Sequence, residues 1–166
     1  MNRYAFRRAA LADAPLLAAW RAAPHVAAWW SQETRLDAAW FAAPEVRRWI
    51  VGLEGRDFAF IQDYSVHAEP GHHFAHLPPG SRGIDQFIGD PEMLGQGHGP
   101  GFIAAHAQRL FAEGAPVVAT DPHPDNGRAI AACRKAGFAV SGPPRDTPWG
   151  PILPMTKGRA TPSDVS

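Results

Sequence analysis

The sequence predicts a mixed α/β fold, and three observations support this prediction. Short runs of alternating apolar and polar residues, typical of strands, are interleaved with segments whose apolar residues recur at helical spacing. A glycine-rich stretch, Leu94 to Gly101, comes shortly after the apolar run 84–88 and leads into a helical segment. The 166 residues are 45 % apolar, and no interior linker divides them. We expect one domain over residues 1–156 and a flexible polar tail over 157–166.

The N-terminal half is predicted to contain a strand, short helices and a hairpin. Asp13 and Pro15 suit the start of a helix, and Pro24 interrupts it. A Glu54-Gly55 turn joins two strand-like runs. The expected elements, in chain order, are a strand over 4–8, a helix from Asp13, helical pieces over 26–30 and 36–41, and strands over 48–53 and 58–66.

The C-terminal half is predicted to alternate strands with helices. Residues 67–82 are rich in His, Pro and Gly and lack periodicity, so we expect a loop or lid there. Gly137 should end the last helix as a left-handed C-terminal cap. The remaining expected elements are strands over 84–88, 117–120, 138–141 and 152–155, and helices over 100–113 and 126–136.

Composition narrows the classes of function. Sixteen basic residues balance sixteen acidic ones, so a nucleic-acid-binding surface is not indicated. The N-terminus lacks a signal-like apolar run, and no stretch of about 18 apolar residues occurs without charge. A single cysteine, Cys133, excludes an intrachain disulfide. We expect a cytoplasmic monomer or homodimer that binds neither nucleic acid nor a membrane.

The glycine-rich stretch indicates a phosphate cradle. Its glycines permit tight turns, and the N–H groups at the start of the following helix carry partial positive charge that attracts an anion. A nucleoside-triphosphate loop requires Lys and Ser or Thr where Phe102 and Ile103 stand. A dinucleotide loop fits the glycine spacing poorly, although Asp121 lies at about the right distance for a ribose contact. A pyrophosphate loop for coenzyme A is the third candidate.

A second segment, Asp121 to Phe138, favours the third candidate. It contains the helix start Asn126-x-x-Ala129 and ends in Lys135-Ala-Gly-Phe138. Together with residues 94–99, it resembles the two signature motifs of the GCN5-related N-acetyltransferases (GNAT), in particular the aminoglycoside 6′-N-acetyltransferase-like branch. The resemblance covers most of residues 4–155. It implies a mixed central sheet, split into a V around acetyl-CoA, with helices on both faces.

The resemblance also assigns residues to acetyl-CoA. In the family, backbone amides of the strand before the glycine loop hold the acetyl and pantetheine groups; here these are Phe87 and Ile88. Cys133 stands where many members carry a tyrosine that protonates the leaving thiolate. We expect Cys133 to be buried packing, with solvent or Tyr64 as proton source, although a thiol can also donate. The expected acetyl-CoA-binding residues are Phe87, Ile88, Leu94, Gly95, Gln96, Gly97, His98, Gly99, Asn126, Ala129 and Cys133.

Two aspartates are expected to receive the acceptor amine. Asp85 lies in a strand among apolar residues, where a carboxylate is costly without a cation or a proton. By the resemblance it corresponds to the aspartate that serves the substrate amine as base or electrostatic anchor; the alternative is an internal salt bridge to Arg82 or Arg7. Asp121 follows a strand at the end where α/β sheets bind ligands, and the alternative for it is a turn residue.

Trp29 and Trp30 are candidates for the wall of the acceptor pocket. Neighbouring residues on a helix point in different directions, so the two indoles cannot have the same surroundings. The resemblance places an aromatic side chain of this region at the acceptor. Core packing is the alternative.

Four imidazoles, His67, His72, His73 and His76, fall within ten residues of the predicted lid. Such a cluster can hold zinc or nickel. However, no cysteine or second ligand-rich motif accompanies it, and the surrounding prolines and glycines suit a solvated lid or an acceptor contact. We therefore expect no metal.

The predicted function is acetyl-CoA-dependent N-acetylation of a primary amine by direct transfer. By the resemblance, the 6′-amine of an aminoglycoside is one candidate acceptor. The alternatives are another small amine, such as hydroxylysine, a siderophore precursor or a polyamine, and a non-catalytic module that binds coenzyme A or a dinucleotide. If the protein is an acetyltransferase, its expected partner is a small-molecule amine substrate.

Overall fold

The computed structural model describes residues 2–160, which contain one large mixed sheet and a small second sheet. The strands are β1 Ala5–Arg8, β2 Val46–Leu53, β3 Arg56–Ser65, β4 Arg82–Ile88, β5 Val117–Thr120, β6 Ala139–Val140, β7 Arg145–Thr147, β8 Gly150–Ile152 and β9 Met155–Gly158. The large sheet has the order β1-β2-β3-β4-β5-β9-β6, and only the β4–β5 pair is parallel. β7 and β8 form the second sheet.

Helices cover both faces of the large sheet. They are α1 Ala14–Ala22, α2 Pro24–Ala27, α3 Ala38–Ala42, α4 His98–Ala112 and α5 Gly127–Lys135, with 3₁₀ turns at Leu11–Asp13 and Pro91–Met93. On one face, Leu17 and Trp20 of α1 pack with Phe60 of the sheet. On the other, Phe102 of α4 and Cys133 of α5 belong to the main core. The predicted mixed α/β fold is therefore confirmed. None of the helices in the described residues is long and apolar enough to cross a membrane.

The β2–β3 hairpin forms as the sequence predicts. Glu54 and Gly55 both have positive φ, at 51° and 82°. Two such residues match the right-handed twist of the flanking strands. The turn fixes the register of β2 against β3. The separate pairing of β3 with β4 places Gln62 opposite Asp85, and so brings a polar side chain of β3 beside the candidate site.

β4 and β5 separate soon after they meet. Their pairing ends at Ile84 and Thr120, and the Thr120 hydroxyl donates to the Ile84 carbonyl at 3.1 Å. β4 continues through residues 85–88, and on this side no strand of the described chain pairs with it. We call residues 85–88 the open edge of β4. This divergence is the V-shaped split that the resemblance implied.

Several predicted boundaries are wrong. The strand expected over 152–155 is two strands, because the chain leaves the small sheet after Ile152 and re-enters the large sheet at Met155. β9 extends to Gly158, so the tail does not begin at residue 157; Lys157 Nζ donates to the Ala136 carbonyl at 2.8 Å. Residues 161–166 of the predicted tail lie outside the described part of the chain.

The short helices also shift from their predicted positions. The piece expected over 26–30 begins at Pro24, whose fixed φ suits a first helical position. The piece expected over 36–41 begins after Asp37, whose side chain accepts from the Trp40 amide at 3.0 Å. Asp13 does not cap α1 with its side chain; its carboxylate pairs instead with Arg7.

Candidate active site

Asp85 and Asp121, the carboxyl pair, lie where β4 and β5 diverge. Asp85 is the first residue of β4 beyond the β5 pairing, and Asp121 immediately follows β5. Burial and then the negative charge of Asp121 raise the pKa of Asp85 to about 8, and burial raises the pKa of Asp121 to about 6. The two groups are close enough to share a hydrogen bond. Near neutral pH the pair therefore holds one proton between its two members.

The carboxyl pair has neutral hydrogen-bonding partners. Gln62 Nε2 donates to Asp85 Oδ2 at 3.0 Å, and His73 Nε2 lies 2.7 Å from Asp121 Oδ2. Sequence reasoning missed Gln62, because only the register of β3 against β4 shows that the two side chains meet. Asp121 is not merely a turn residue, since its side chain lies beside Asp85 and binds His73.

The alternative of an internal salt bridge for Asp85 is wrong. Arg82 binds the buried Asp63 on the opposite face of the sheet. Arg7 binds Asp13 and Asp57. Neither guanidinium is available to compensate a negative charge on Asp85.

Tyr64 lies on the same face of the sheet as the carboxyl pair. Its ring covers Gly83, where a Cβ would come within 2.3 Å of the ring, and it meets His72 edge-on at 5.5 Å. Burial and the charges of Asp85 and Asp121 raise the pKa of Tyr64 well above its ordinary value. The phenol therefore stays protonated and forms part of the floor of the site.

The two neighbouring indoles have different surroundings. Trp30 packs edge-on against Phe60 and Phe87 and belongs to the core between α1–α3 and the sheet. Trp29 is 42 % exposed, and its ring lies 5.3 Å from His123. Of the two, only Trp29 is placed beside the β5–α5 connection at the mouth of the site.

The backbone amide and carbonyl groups of successive β4 residues point alternately toward β3 and toward the open edge. The Gly89 amide donates to the Phe58 carbonyl, so Phe60 and Phe87 form the hydrogen-bonded pair of the ladder. The Phe87 amide is therefore engaged with β3 and cannot hold an acetyl group as expected. The amides of Gln86 and Ile88 face the open edge instead.

The glycine loop, Leu94 to Gly99, presents backbone N–H groups. Gly95 and Gly97 have φ of 70° and 81°, in the left-handed region. Gly97 precedes α4 without a side-chain cap, so the first helical amides have no partner within the helix. A Cβ at Gly95 or Gly97 would meet no protein atom within 4 Å, so this surface is open to a ligand. The loop is thus suited to hold a pyrophosphate.

Side chains of this loop play other roles. His98 is buried, and its Nδ1 lies 3.1 Å from the Tyr4 hydroxyl. Gln96 Nε2 donates to the Glu92 carbonyl at 2.5 Å. Leu94 ends the 3₁₀ turn before the loop. Only backbone groups of these residues are therefore placed to contact an anion.

α5 closes the cofactor side of the V. Asn126 caps this helix by accepting a hydrogen bond from the Ala129 amide at 3.2 Å. The Asn126 side-chain oxygen and the Ala129 amide, both of residues expected to bind acetyl-CoA, are therefore hydrogen-bonded to each other. Cys133 is fully buried, and Gln86 Nε2 lies 3.7 Å from its sulfur. Burial raises the pKa of Cys133 to about 12. The thiol is accordingly a neutral packing group.

The lid predicted over 67–82 ends at residue 81, because β4 begins at Arg82, and it covers the acceptor side. His72 and His73 stack at 4.1 Å, whereas His67 and His76 are exposed. Trp149 of the β7–β8 hairpin contacts the stacked imidazoles and is 61 % exposed. Within residues 2–160, no three His, Cys, Asp or Glu side chains converge as a metal site.

A cavity of about 420 Å³ opens between the lid and this hairpin. His73 lines the cavity and also lies 2.7 Å from Asp121 Oδ2, so this imidazole stands between the cavity and the carboxyl pair. Its lining residues are Glu69, Pro70, Gly71, His72, His73, Arg145, Asp146, Thr147, Pro148 and Trp149.

Comparison with known proteins identifies the family. The family model described as an acetyltransferase (GNAT) domain matches residues 9–143. The chain belongs to the GNAT acetyltransferase family. The predicted family and the predicted acetyltransferase class are thereby confirmed.

Relatives of this GNAT chain include aminoglycoside acetyltransferases. It is 31 % identical over 159 residues to an aminoglycoside N(6')-acetyltransferase type 1 of Klebsiella pneumoniae, covering 89 % of this chain and 79 % of that protein. The crystal structure of AAC(6')-Ib with coenzyme A and kanamycin is similar, with a TM-score of 0.85, 30 % identity, and coverage of 94 % and 95 % of the two chains. AAC(6')-Ib with paromomycin and acetyl-CoA gives a TM-score of 0.84 at 30 % identity and 94 % and 93 % coverage.

Proposed function

We propose that this chain transfers the acetyl group of acetyl-CoA directly to a primary amine. The carboxyl pair carries the proposal: it lies at the branch of the V, next to the open edge of β4. An amine placed there meets a proton acceptor on one side and unpaired strand amides on the other. A thioester held by the glycine loop and the open edge would bring its carbonyl to the same point.

The carboxyl pair supplies the base. An acceptor amine reaches the site as its ammonium form and loses a proton to the singly ionised pair. The neutral nitrogen then forms a bond to the thioester carbon. The Ile88 amide, which faces the open edge, donates to the oxygen that becomes negative during the attack. Collapse of the intermediate breaks the C–S bond and releases coenzyme A as a thiolate.

The leaving thiolate receives its proton from solvent or from the attacking nitrogen. Cys133 is unsuitable, because its pKa of about 12 makes it a weaker acid than an ordinary thiol. Tyr64 is unsuitable for the same reason and faces the acceptor side of the sheet. No covalent intermediate on the protein is needed.

The acceptor class follows from the relatives and from the cavity. The Klebsiella relative is an aminoglycoside N(6')-acetyltransferase, and AAC(6')-Ib binds kanamycin. Carboxyl groups attract polycations, and His73, the hydrogen-bonding partner of Asp121, lines a cavity whose wall also contains Glu69 and Asp146. We therefore propose an aminoglycoside 6′-amine as the acceptor to test first. Arg145 in the same lining is the observation that favours a second candidate, a small amine that also carries an anionic group.

One assay separates these possibilities. Purified protein is incubated with acetyl-CoA and, in parallel, kanamycin, a polyamine, and hydroxylysine, and free coenzyme A and acetylated product are both measured. We expect acetylated kanamycin whose modification maps to the 6′-nitrogen by NMR. Turnover with hydroxylysine alone would replace the aminoglycoside proposal with the second candidate, and coenzyme A binding without any acetylated product would refute the catalytic proposal.

A further inference from the structure

His73 reaches the carboxyl pair from the lid. Its Nε2 lies 2.7 Å from Asp121 Oδ2, and its side chain is only 4 % exposed. The chain around it packs on the sheet: Phe74 of the lid and the preceding Val66 are buried against Ala119 of β5. The Phe74 amide also donates to His72 Nδ1 at 3.1 Å. His73 is thus part of the packed structure around the site, and of the two alternatives, a solvated lid or an acceptor contact, the first is wrong for this residue.

The direction of the His73 hydrogen bond follows from the charge of its partner. A carboxylate accepts hydrogen bonds and cannot donate them. Burial and then the nearby Arg145 guanidinium lower the pKa of His73, whereas Asp85 raises it, and the net shift is downward. A neutral imidazole carries one ring hydrogen. With Asp121 ionised, that hydrogen is on Nε2.

The two members of the carboxyl pair have different hydrogen-bond donors. Asp121 accepts from a buried imidazole, whereas Asp85 accepts from an amide, Gln62. Donation to a carboxylate favours its ionised form. Each donor favours the ionised form of the carboxyl that it meets, and Asp121 has the lower pKa of the two, about 6 against about 8, so the shared proton lies on Asp85. The His73 donor thus acts on the ionised member, and it keeps the pair singly ionised to lower pH than burial alone would allow.

We propose that His73 is a positioning residue that holds the carboxyl pair in its singly ionised, proton-accepting form by donating from Nε2 to Asp121. This inference rests on the proposed acetyl transfer, because it assigns the ionised pair the role of base. The titratable and charged groups that surround the contact are Asp85 of β4, Tyr64 of β3, Cys133 of α5, Arg145 of β7, and His72 and Glu69 of the lid.

The test compares the pH dependence of kcat/KM for the amine in wild type, His73→Leu and His73→Gln. Leu removes the donor, whereas the Gln amide can place an N–H at the position of Nε2 and cannot titrate. We expect the acid limb of the profile to move up by about 1 pH unit in His73→Leu and by less than about 0.3 unit in His73→Gln. His76→Leu, in an exposed lid histidine, is the matched control and should leave the limb in place.

Two spectroscopic measurements make the test independent of turnover. The ¹⁵N shifts of His73 in the wild-type protein should show a neutral ring protonated at Nε2. The ¹³C shifts of the aspartate carboxyls should show the same displacement of the pair's titration in His73→Leu as the kinetics do. These spectra can be recorded even if no amine is acetylated, so failure of the proposed function is distinguished from failure of this inference.

Three results would overturn the inference. One is a ring hydrogen on Nδ1 in the wild-type protein. Another is an acid limb in His73→Leu that coincides with wild type. The third is an equal shift in His73→Leu and His73→Gln, which would show that the hydrogen-bond donor is not what acts on Asp121. If His73→Leu does not fold, the inference is tested by the wild-type tautomer, which should be Nε2, and by the pH profile of His73→Gln, which should stay close to that of wild type.

Discussion

The Ile88 carbonyl accepts a hydrogen bond from His25 Nε2 at 2.8 Å, across the mouth of the V. His25 belongs to α2, on the acceptor side of the sheet, whereas the open edge of β4 faces the cofactor. The contact holds the Ile88 carbonyl at the open edge, while β3 holds the Gly89 amide of the same peptide unit. It thereby fixes the orientation of the open edge at the end nearest the glycine loop.

The first prediction concerns this contact. His25→Ala should lower kcat by about tenfold, because release of the Ile88 carbonyl loosens the open edge and with it the neighbouring Ile88 amide that faces the reacting carbonyl; loss of a complete oxyanion donor costs about 10²–10³. His25→Gln, which keeps a side-chain N–H, should recover most of the activity. Steady-state kinetics with melting temperatures would check this, and equal activity of His25→Ala and wild type would contradict it.

The second prediction concerns the glycine loop. Gly97→Ala should largely abolish the rise in melting temperature that acetyl-CoA causes in wild type, because a methyl group would stand on the surface proposed for the pyrophosphate. Gly114→Ala is the matched control, since Gly114 also has positive φ and an open Cβ position but lies at the far end of α4. Both changes place an L side chain at a positive φ, 81° at Gly97 and 106° at Gly114. Retention of the acetyl-CoA shift in Gly97→Ala would count against the loop assignment.

The third prediction is that Cys133 is dispensable for chemistry. Cys133→Ala should reduce kcat by less than about tenfold, whereas loss of a general acid typically costs 10²–10⁴. The measurement is kcat with saturating acetyl-CoA, together with urea unfolding, because the buried side chain contributes to packing. A loss of a hundredfold or more at unchanged stability would instead identify the thiol as the proton donor.

The fold was more predictable from the sequence than the site. Strand alternation and the Glu54-Gly55 turn depend on local chemistry, so the hairpin could be placed correctly. The assignment of the Phe87 amide was wrong, and Gln62 was missed. Both depend on the register of the β3–β4 ladder, which is a relationship between distant segments. His73 stood in a stretch without periodicity, and nothing local indicates that its ring reaches Asp121. The C-terminal strands were misplaced because Pro154 interrupts the run without marking which sheet each part joins.

The fourth prediction concerns a buried ionic cluster on the other face of the sheet. Asp63 is fully buried and accepts from Trp49, His106, Arg47 and Arg82. These donors outweigh burial and hold the pKa of Asp63 well below its usual range. Asp63→Ala should destabilise the protein by about 3–5 kcal/mol, because it leaves the partly buried Arg82 and the buried N–H donors of His106 and Trp49 without their acceptor.

The sign of the Asp63 contribution to acid stability follows from that lowered pKa. A carboxyl with a lower pKa in the folded state stabilises the fold above its unfolded pKa of about 3.9, and this stability is lost as pH falls toward the folded value. Urea unfolding of wild type should therefore weaken below about pH 4 more steeply than that of Asp63→Ala. Parallel acid sensitivity in the two proteins would show that Asp63 is not the responsible group.

The final prediction concerns Asp85, whose pKa is shifted in the opposite direction. Asp85→Asn should lower kcat/KM for the amine by about a hundredfold or more, with partial recovery at high pH where free amine is abundant. Acetyl-CoA affinity should stay within about threefold, because the glycine loop lies elsewhere. Asp125→Asn, at an exposed carboxyl of the β5–α5 connection, is the control and should retain activity.

Stability separates this role from a structural one. The folded state holds the Asp85 proton up to a pKa of about 8, whereas the unfolded chain releases it near the ordinary value of 3.8. The folded state therefore binds more protons between these values, and wild-type stability falls as pH rises through this window. Asp85→Asn carries no such charge, so its melting temperature should equal or exceed that of wild type at pH values near 8 and converge with it near pH 4. A lower melting temperature of Asp85→Asn across the whole range, with activity lost in proportion, would mean that Asp85 supports the fold and does not receive the proton.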